Sequence, residues 1–309
     1  MKALREAVAD YLALRRSLGF KLEYHESCLR EFISFLNKKR SAHLSIRLAL
    51  QFATQHQHHQ PALWAARLRV VRGFARYLSG RDPRTEIPPV GLLPYRAQRA
   101  QPYLYSGREI RRLLQAAQSL RSSSALNPWT YYCLFGLLAT TGMRISEALN
   151  LQTKDVDWSE GVLTIHGKCG KSRLVPLHCS TLKVLSAYSA RRDRLFGKES
   201  VSHFFVSLRG TRLGGGHVRR TFYQLSRQVG LRAVSSSHGP RLHDFRHRFA
   251  VQTLLRWYRQ DKDVERSLPI LSTFLGHAHV TDTYWYLTST PELMGAAGKR
   301  MEQRWGGIL

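Results

Sequence analysis

Apolar side chains recur three or four positions apart through the first 80 residues, and glycine or polar residues end each run. Such spacing places the apolar side chains on one face of a helix. It predicts four helices, of which the first ends near Gly19 and the third, around Leu48, has the weakest pattern. The fourth has Pro61 in its first turn and is followed by Gly80, which suits a helix stop. Residues 1–80 are therefore predicted to form a small helical domain.

The pattern changes in the next segment. Residues 81–102 contain five prolines and scattered arginines, a composition that supports neither a helix nor a central strand. This segment is predicted to be a basic linker. A second domain over residues 103–309 opens with Ser106 and Glu109 at the spacing of a capping box.

The second domain combines helical spacing with one strand-like region. Two short runs, at residues 162–166 and 173–177, are rich in β-branched and apolar residues and flank a glycine-containing turn, so they predict a β-hairpin. Further helices are predicted near residues 127–142, 181–195, 217–229, 242–257, 264–275, 280–288 and 291–303. The expected fold is mainly α-helical with a small β-sheet, and the second domain is of mixed α/β character.

The charge balance of the chain indicates a class of binding partner. The chain has 48 Lys and Arg residues against 21 Asp and Glu, a formal net charge of +27 that is spread over both predicted domains. This excess is larger than solubility requires, so nucleic acid is the first partner to consider. The basic linker could cross a DNA backbone, although an inert tether fits its composition nearly as well.

Other function classes find little support in the sequence. The four cysteines show no C-x-x-C spacing, and reduced cysteines of a cytosolic protein are expected. Apolar runs fall short of the roughly 18 residues of a membrane span, so we expect a soluble, nucleoid-associated protein of the cytoplasm. The glycines at 214–216 lack the lysine of a nucleotide-binding loop, and no cofactor is expected.

Residues that could carry chemistry are spread along the second domain. They are Thr141-Gly142-Met143-Arg144-Ile145-Ser146-Glu147, Gly167-Lys168, His243-Asp244-Phe245-Arg246-His247, Leu275-Gly276-His277 and Tyr286. In their order and spacing the sequence resembles the tyrosine recombinases, also called phage integrases, a family that includes Xer-type recombinases and Cre. The resemblance covers nearly the whole chain in organisation and is specific over residues 140–290. It implies an N-terminal core-binding domain and a catalytic domain that close around double-stranded DNA.

Three of these residues would hold and activate a phosphate. By the resemblance, Arg144 is the first catalytic arginine, and His243 and Arg246 form the H-x-x-R pair. A phosphodiester is anionic, and attack on it builds further charge on its non-bridging oxygens, which two fixed guanidinium groups can hold through forked hydrogen bonds. His243 is the best candidate for accepting a proton. Taken alone, a turn arginine and a neighbouring pair on a helix surface would explain the same residues.

The hairpin adds basic side chains. Lys168 matches the family's hairpin lysine, and a flexible lysine tip could reach into the DNA groove to protonate the departing 5′ oxygen. Lys171 lies three residues later on the same turn, and the family spacing favours Lys168 over it. We expect Lys171 and Arg173 to bind DNA, and the alternative interpretation of Lys168 is a solvated hairpin charge.

Tyr286 lies nine positions beyond His277 and matches the nucleophile of the family. A free tyrosine has a pKa of about 10 and is mostly neutral near pH 7, so its proton must leave during attack. His277 would hydrogen-bond the scissile phosphate. A phosphotyrosine bond would store the energy of the broken backbone bond, so rejoining would need neither ATP nor metal. Tyr284 is a second tyrosine nearby, and the ring of Tyr286 could instead belong to the core.

Three weaker patterns could suggest a metal site. They are His56, His58 and His59, the acidic group Asp155, Asp157 and Glu160, and His277-Ala278-His279. The first group lies in a Gln-rich helix end without acidic or cysteine partners, and the second precedes a strand as a polar turn would. No metal is therefore expected.

The resemblance implies a site-specific DNA recombinase that acts through a 3′-phosphotyrosine intermediate. It also implies four protomers on two DNA sites, with residues 291–309 a candidate for docking on a neighbouring protomer. The run after Tyr284 is more typical of mobile-element recombinases than of Xer housekeeping enzymes. A catalytically silent DNA-binding accessory factor, and a type IB topoisomerase-like enzyme or hairpin-forming resolvase, are the alternatives.

Overall fold

The computed structural model describes most of the chain in two units. The described residues are 2–56, 60–93, 101–167, 171–197, 200–236, 238–287 and 290–306. Internal contacts divide the chain into Met1–Ala100 and Gln101–Leu309, and each unit is described by itself. Among the described residues, no helix is both long enough and apolar enough to span a membrane.

The described part of the first unit consists of four helices, as the hydrophobic spacing predicts. They are α1 (Lys2–Ser17), α2 (Glu23–Lys38), α3 (Ile46–Thr54) and α4 (Pro61–Leu78). Their apolar faces meet in a core that includes the fully buried Phe32, Phe52 and Phe74. The rings of Phe32 and Phe52 lie 5.0 Å apart, and the Arg67 guanidinium covers Phe52 at 4.0 Å. Burial of these aromatic side chains contributes to the stability of the unit together with the aliphatic residues of the same core.

Residues 82–93, which the sequence assigns to the linker, pack on the first unit. The Glu86 amide donates to the Leu44 carbonyl at 2.9 Å, and the Ile46 amide donates to the Glu86 carboxylate at 2.6 Å. The Arg72 guanidinium donates to two proline carbonyls of the segment at 2.8 Å each. A proline has a backbone carbonyl that accepts a hydrogen bond but no amide hydrogen to donate. These prolines therefore pack against α4 through their carbonyl groups. Residues 94–100 lie outside the described residues.

The second unit places helices around a small sheet. Its helices are α5 (Gly107–Gln118), α6 (Leu126–Thr141), α7 (Ile145–Asn150), α8 (Cys179–Phe196), α9 (Gly215–Gln228), α10 (Asp244–Arg259), α11 (Val264–Leu275), α12 (Thr281–Leu287) and α13 (Pro291–Trp305). The predicted capping box at Ser106 and Glu109 is confirmed. Helix α6 is apolar on all sides and packs against α5, α8 and α10, as expected of a buried central helix.

The described strands form an antiparallel sheet in the order β1-β2-β3. They are β1 (Val156–Asp157), β2 (Val162–His166) and β3 (Ser172–Pro176). The predicted hairpin is confirmed, but β3 begins one residue earlier than predicted, because Ser172 pairs with His166. Leu177 lies beyond the strand and donates to the Gly161 carbonyl at 2.8 Å. The turn residues 168–170 lie outside the described residues.

The last four helices form a second cluster of apolar residues in this unit. Helix α10 packs against α11, α12 and α13, and the cluster includes Leu254, Leu271, Tyr286 and Leu293. The C-terminal helix α13 therefore lies against α10 of its own chain in this structure. This cluster holds α12, the helix that carries Tyr286, beside the first turn of α10.

Candidate active site

Two glycines in the left-handed conformation bring the ends of two helices to the candidate site. Gly142 (φ +61°) ends α6, and Gly276 (φ +69°) ends α11. A Cβ atom on Gly142 would lie 2.7 Å from the ring of a phenylalanine in α10, and one on Gly276 would lie 2.7 Å from Arg173 Nη1. Only glycine fits such a close approach at a positive φ. Arg144 and His277 follow these glycines and are thereby brought together.

Arg144 is held on two sides by the protein. Its Nη1 donates to Glu147 Oε1 at 2.8 Å, and its Nη2 donates to the Gly276 carbonyl at 2.9 Å. Its backbone amide donates to Glu147 Oε2 at 2.8 Å. The side chain is still 35% exposed. Arg144 is therefore a fixed guanidinium that solvent can reach, and a guanidinium group has the donors to bind a phosphate.

Arg246 lies behind Arg144 in the first turn of α10. It is 2% exposed, and its Nη1 donates to the Gly142 carbonyl at 3.1 Å. Its Nη2 is buried without a well-formed hydrogen bond to the described residues. Burial and the Arg144 charge lower the pKa of Arg246 to about 10, although the Tyr286 hydroxyl, through charge and a hydrogen bond, favours the cation. Arg246 therefore stays charged near pH 7, and its charge interacts with that of Arg144.

His277 is oriented by a buried hydroxyl. Its Nδ1 lies 2.7 Å from Thr283 Oγ1, and Thr283 is fully buried. Burial, followed by the charges of Arg246 and Arg144, lowers the pKa of His277 to about 4, so the ring is neutral near pH 7. If the Thr283 hydroxyl donates to Nδ1, the ring proton lies on Nε2. Nε2 of His277 can then donate a hydrogen bond to an anion.

Tyr286 lies among these groups, whereas Tyr284 does not. Tyr286 is 3% exposed, its ring stacks on His277 at 6.1 Å, and it contacts the His247 ring at 5.6 Å. Its hydroxyl interacts with Arg246. Tyr284 is 50% exposed. An offset of two residues on a helix turns a side chain by about 200°, which explains why the two tyrosines have such different surroundings.

Two histidines lie on the same face of α10. His243 stands at its N-cap, its ring lies 4.7 Å from the His247 ring, and the residue is exposed. The protein packed around it, followed by the Arg246 charge, lowers the pKa of His243. His247 is buried, and burial followed by the His243 charge lowers its pKa to about 4. Nδ1 of His247 has no hydrogen-bond partner in the described part of the chain.

No role was predicted from the sequence for His247, Thr283 or Glu147, although each contacts a candidate residue. A spacing of four residues on a helix was the available signal for His247, because it places that side chain on the same face as His243. Glu147 lies three residues after Arg144 and had the same kind of signal. Thr283 had none.

The predicted hairpin residues have different surroundings. Lys168 lies outside the described residues, so its assignment stays a prediction. Lys171 is exposed. The Arg173 side chain is only 10% exposed, and its guanidinium is engaged by Glu147 and by the Phe274 carbonyl. This placement argues against the DNA contact predicted for Arg173, because its donors are already used inside the protein.

The acidic residues that could suggest a metal site cap turns instead. The buried Asp155 accepts from the Gln152 amide at 2.8 Å, and Asp157 accepts from the Ser159 and Glu160 amides at 3.0 Å each. In the described ranges, no three His, Cys, Asp or Glu side chains are grouped as metal ligands. His58 and His59 lie outside these ranges.

Comparison with known proteins gives both sequence and fold relatives. The model of the phage integrase family matches residues 105–292. The protein y4rB of Sinorhizobium fredii (strain NBRC 101917 / NGR234), provisionally named an integrase/recombinase, is 53% identical over 310 residues, with 99% of each chain covered.

Two solved structures share the fold at low sequence identity. A Tn1549 transposon integrase in complex with transposon right end DNA has a TM-score of 0.66 and 14% identity, covering 95% of this chain and 97% of its own. A lambda integrase tetramer bound to a Holliday junction has a TM-score of 0.58 and 18% identity, covering 90% of this chain and 78% of its own. At these identities the two structures support the fold alone.

Proposed function

The chain belongs to the phage integrase family of tyrosine recombinases, and from this membership we propose that it cuts and rejoins DNA at specific sites through a 3′-phosphotyrosine intermediate. The observation that carries the proposal is the convergence of two arginines, a neutral histidine and a buried tyrosine. Arg144, Arg246 and Tyr286 come from three different helix ends, and the Arg246 guanidinium interacts with both the Arg144 charge and the Tyr286 hydroxyl. A phosphodiester is the anion that this set of groups suits.

The two arginines and His277 would hold the scissile phosphate. Arg144 offers a fixed, partly exposed guanidinium, and Arg246 offers a buried donor. Charge grows on the non-bridging oxygens during attack, and donors that are already oriented stabilise it without reorganisation. Nε2 of His277 would add a neutral donor to the same oxygens.

Cleavage would begin with attack of the Tyr286 oxygen on phosphorus. The new bond joins the tyrosine oxygen to phosphorus, and the bond between phosphorus and the 5′ oxygen breaks. The proton of Tyr286 would pass to His243, whose lowered pKa keeps it unprotonated near pH 7. The positive charge of Arg246 next to the hydroxyl favours loss of that proton. Lys168 would protonate the departing 5′ oxygen, and rejoining would reverse each step.

Double-stranded DNA is the proposed partner. The net charge of +27 suits a polyanion, and the transposon and lambda integrases of similar fold were solved on DNA. The lambda integrase assembles as a tetramer on a Holliday junction, and we propose four protomers on two DNA sites for this chain as well. The run after Tyr284 favours a role in a mobile element.

A nicked duplex tests the proposal. A binding site selected from a random-sequence library would carry a nick close to the cleavage position, so that the short cut fragment diffuses away and rejoining is blocked. We expect a covalent protein–DNA adduct to accumulate under denaturing electrophoresis. DNA binding without an adduct would instead favour the accessory-factor alternative. Relaxation of supercoiled DNA without exchange between two sites would favour the topoisomerase-like alternative.

A further inference from the structure

One guanidinium joins three elements beside the candidate active site. Arg173 lies on β3, and its Nε donates to the carbonyl of Phe274 in the last turn of α11 at 2.8 Å. Its Nη1 and Nη2 donate to the two carboxylate oxygens of Glu147 in α7 at 3.1 and 2.8 Å. The Arg173 side chain is 10% exposed and that of Glu147 is 6% exposed. A forked pair in such surroundings fixes the relative orientation of its two side chains.

The same carboxylate and the same helix end hold Arg144. Glu147 accepts from Arg144 Nη1 and from its backbone amide at 2.8 Å each. Arg144 Nη2 donates to the carbonyl of Gly276, the residue that ends α11. Burial would raise the pKa of Glu147, but the bonds from Arg173 and Arg144 outweigh burial and hold it below its ordinary value. Glu147 is therefore an ionised bridge between two arginines.

Arg173 also lies against the turn that precedes His277. A Cβ atom on Gly276 would be 2.7 Å from Arg173 Nη1 and 2.9 Å from its Cζ, so the guanidinium covers this glycine directly. The turn is thus confined between Arg173 and Arg144. A shift of the Arg173 guanidinium would move the carbonyl that holds Arg144 and the backbone that carries His277.

We propose that Arg173 is a positioning residue that orients Arg144 and His277 for the scissile phosphate and ties the β-hairpin to them. This inference rests on the proposed function. It assigns Arg173 a role inside the protein in place of a contact with DNA. Lysine cannot replace it, because an ammonium group is a point charge that cannot form the forked pair and the third bond together.

The variant Arg173→Lys separates this role from DNA binding. We expect the single-turnover cleavage rate at saturating DNA to fall on the order of 10²-fold, since a small misplacement of catalytic groups costs about that much. DNA affinity and its salt dependence should stay at wild-type values. A DNA contact would behave in the opposite way, with weaker binding and a salt slope smaller by about one.

Arg192→Lys is the matched structural control. Arg192 is also buried at 2% exposure, and it donates to the Phe204 carbonyl and to Asp193, outside the candidate active site. We expect both variants to lower the melting temperature, but only Arg173→Lys to lower the cleavage rate per folded molecule. Loss of stability without loss of rate in Arg173→Lys would overturn the positioning role.

The affinity for orthovanadate, measured without DNA, tests the positioning role of Arg173 independently of the proposed cleavage reaction. The anion would occupy the position between Arg144 and Arg246, so misplacing Arg144 should weaken its binding about tenfold in Arg173→Lys and leave it unchanged in Arg192→Lys. If the wild-type protein binds vanadate but forms no covalent adduct with DNA, the proposed cleavage chemistry is contradicted. That result would not contradict the positioning role of Arg173. Equal vanadate affinity in wild type and Arg173→Lys would refute the positioning role.

Discussion

Replacing Gly142 by alanine should destabilise the second unit through two separable effects. At φ +61° an alanine is strained, which costs about 1–2 kcal/mol. The new Cβ would also lie 2.7 Å and 2.9 Å from two ring atoms of Phe249, and such overpacking costs about 1–3 kcal/mol. We therefore expect Gly142→Ala to lower the free energy of unfolding by about 2–5 kcal/mol.

Two other glycines of the same unit separate these effects. Gly230 also has a positive φ of +72° but open space around its Cβ position, so Gly230→Ala should cost only the strain of about 1–2 kcal/mol. Gly136 lies inside α6 with nothing near its Cβ position, so Gly136→Ala should stabilise by about 0.5–1 kcal/mol. Denaturant titration of the full chain, followed by tryptophan fluorescence, measures all three variants.

The test is the order of the three variants in their change in the free energy of unfolding. If Gly142→Ala costs no more than Gly230→Ala, the close contact with Phe249 is wrong, and with it the packing that holds α10 against the end of α6. A shift of Phe249 would also move the Gly142 carbonyl, to which Arg246 donates. We therefore expect Gly142→Ala, unlike Gly136→Ala, to reduce cleavage as well.

Three further predictions concern the solution conditions. DNA affinity should fall steeply with salt, with a log–log slope that corresponds to on the order of six or more phosphates; a nearly flat slope would contradict DNA binding by both basic domains. The free energy of unfolding should fall between about pH 6.5 and 4, because the unfolded chain protonates His247 while the folded chain, with the pKa lowered to about 4, resists protonation. His247→Phe should make that pH dependence shallower, and an unchanged slope would show that His247 is not the group responsible. Excess chelator should leave the cleavage rate unchanged, because the arginines supply the charge stabilisation; a requirement for magnesium in bond breakage itself would contradict this mechanism.

The helices of both units were predictable because their signals are local. The periodic apolar residues of the first unit, the capping box at Ser106 and Glu109 and the stop at Gly142 each depend on a few neighbouring residues. The short helix α7 was missed, since six residues give less than two turns in which to recognise a period. The packing of residues 82–93 on the first unit was also missed, because proline content indicates where a helix cannot form but not what the segment contacts.

The candidate site was predictable in its residue types but not in its contacts. The spacing of Tyr286 from His277 separated it from Tyr284, and the structure brings Tyr286 to Arg246 and His277. The contacts of Arg173 could not be predicted because its partners are distant in sequence: Glu147 lies 26 residues away and Phe274 lies 101 residues away. A basic residue on a hairpin of a basic protein suggests a DNA contact, and only the folded chain reveals the buried carboxylate that it binds.

We propose Tyr286 as the nucleophile, and the covalent adduct on a nicked duplex is the measurement that tests this assignment. Protease digestion and mass spectrometry of the trapped adduct should locate the phosphate on Tyr286. Tyr286→Phe removes a single oxygen, so it should fold, bind DNA and form no adduct, while Tyr284→Phe should still form it. Phosphate on Tyr284 or on a serine, or an adduct formed by Tyr286→Phe, would contradict the assignment of Tyr286 as the nucleophile.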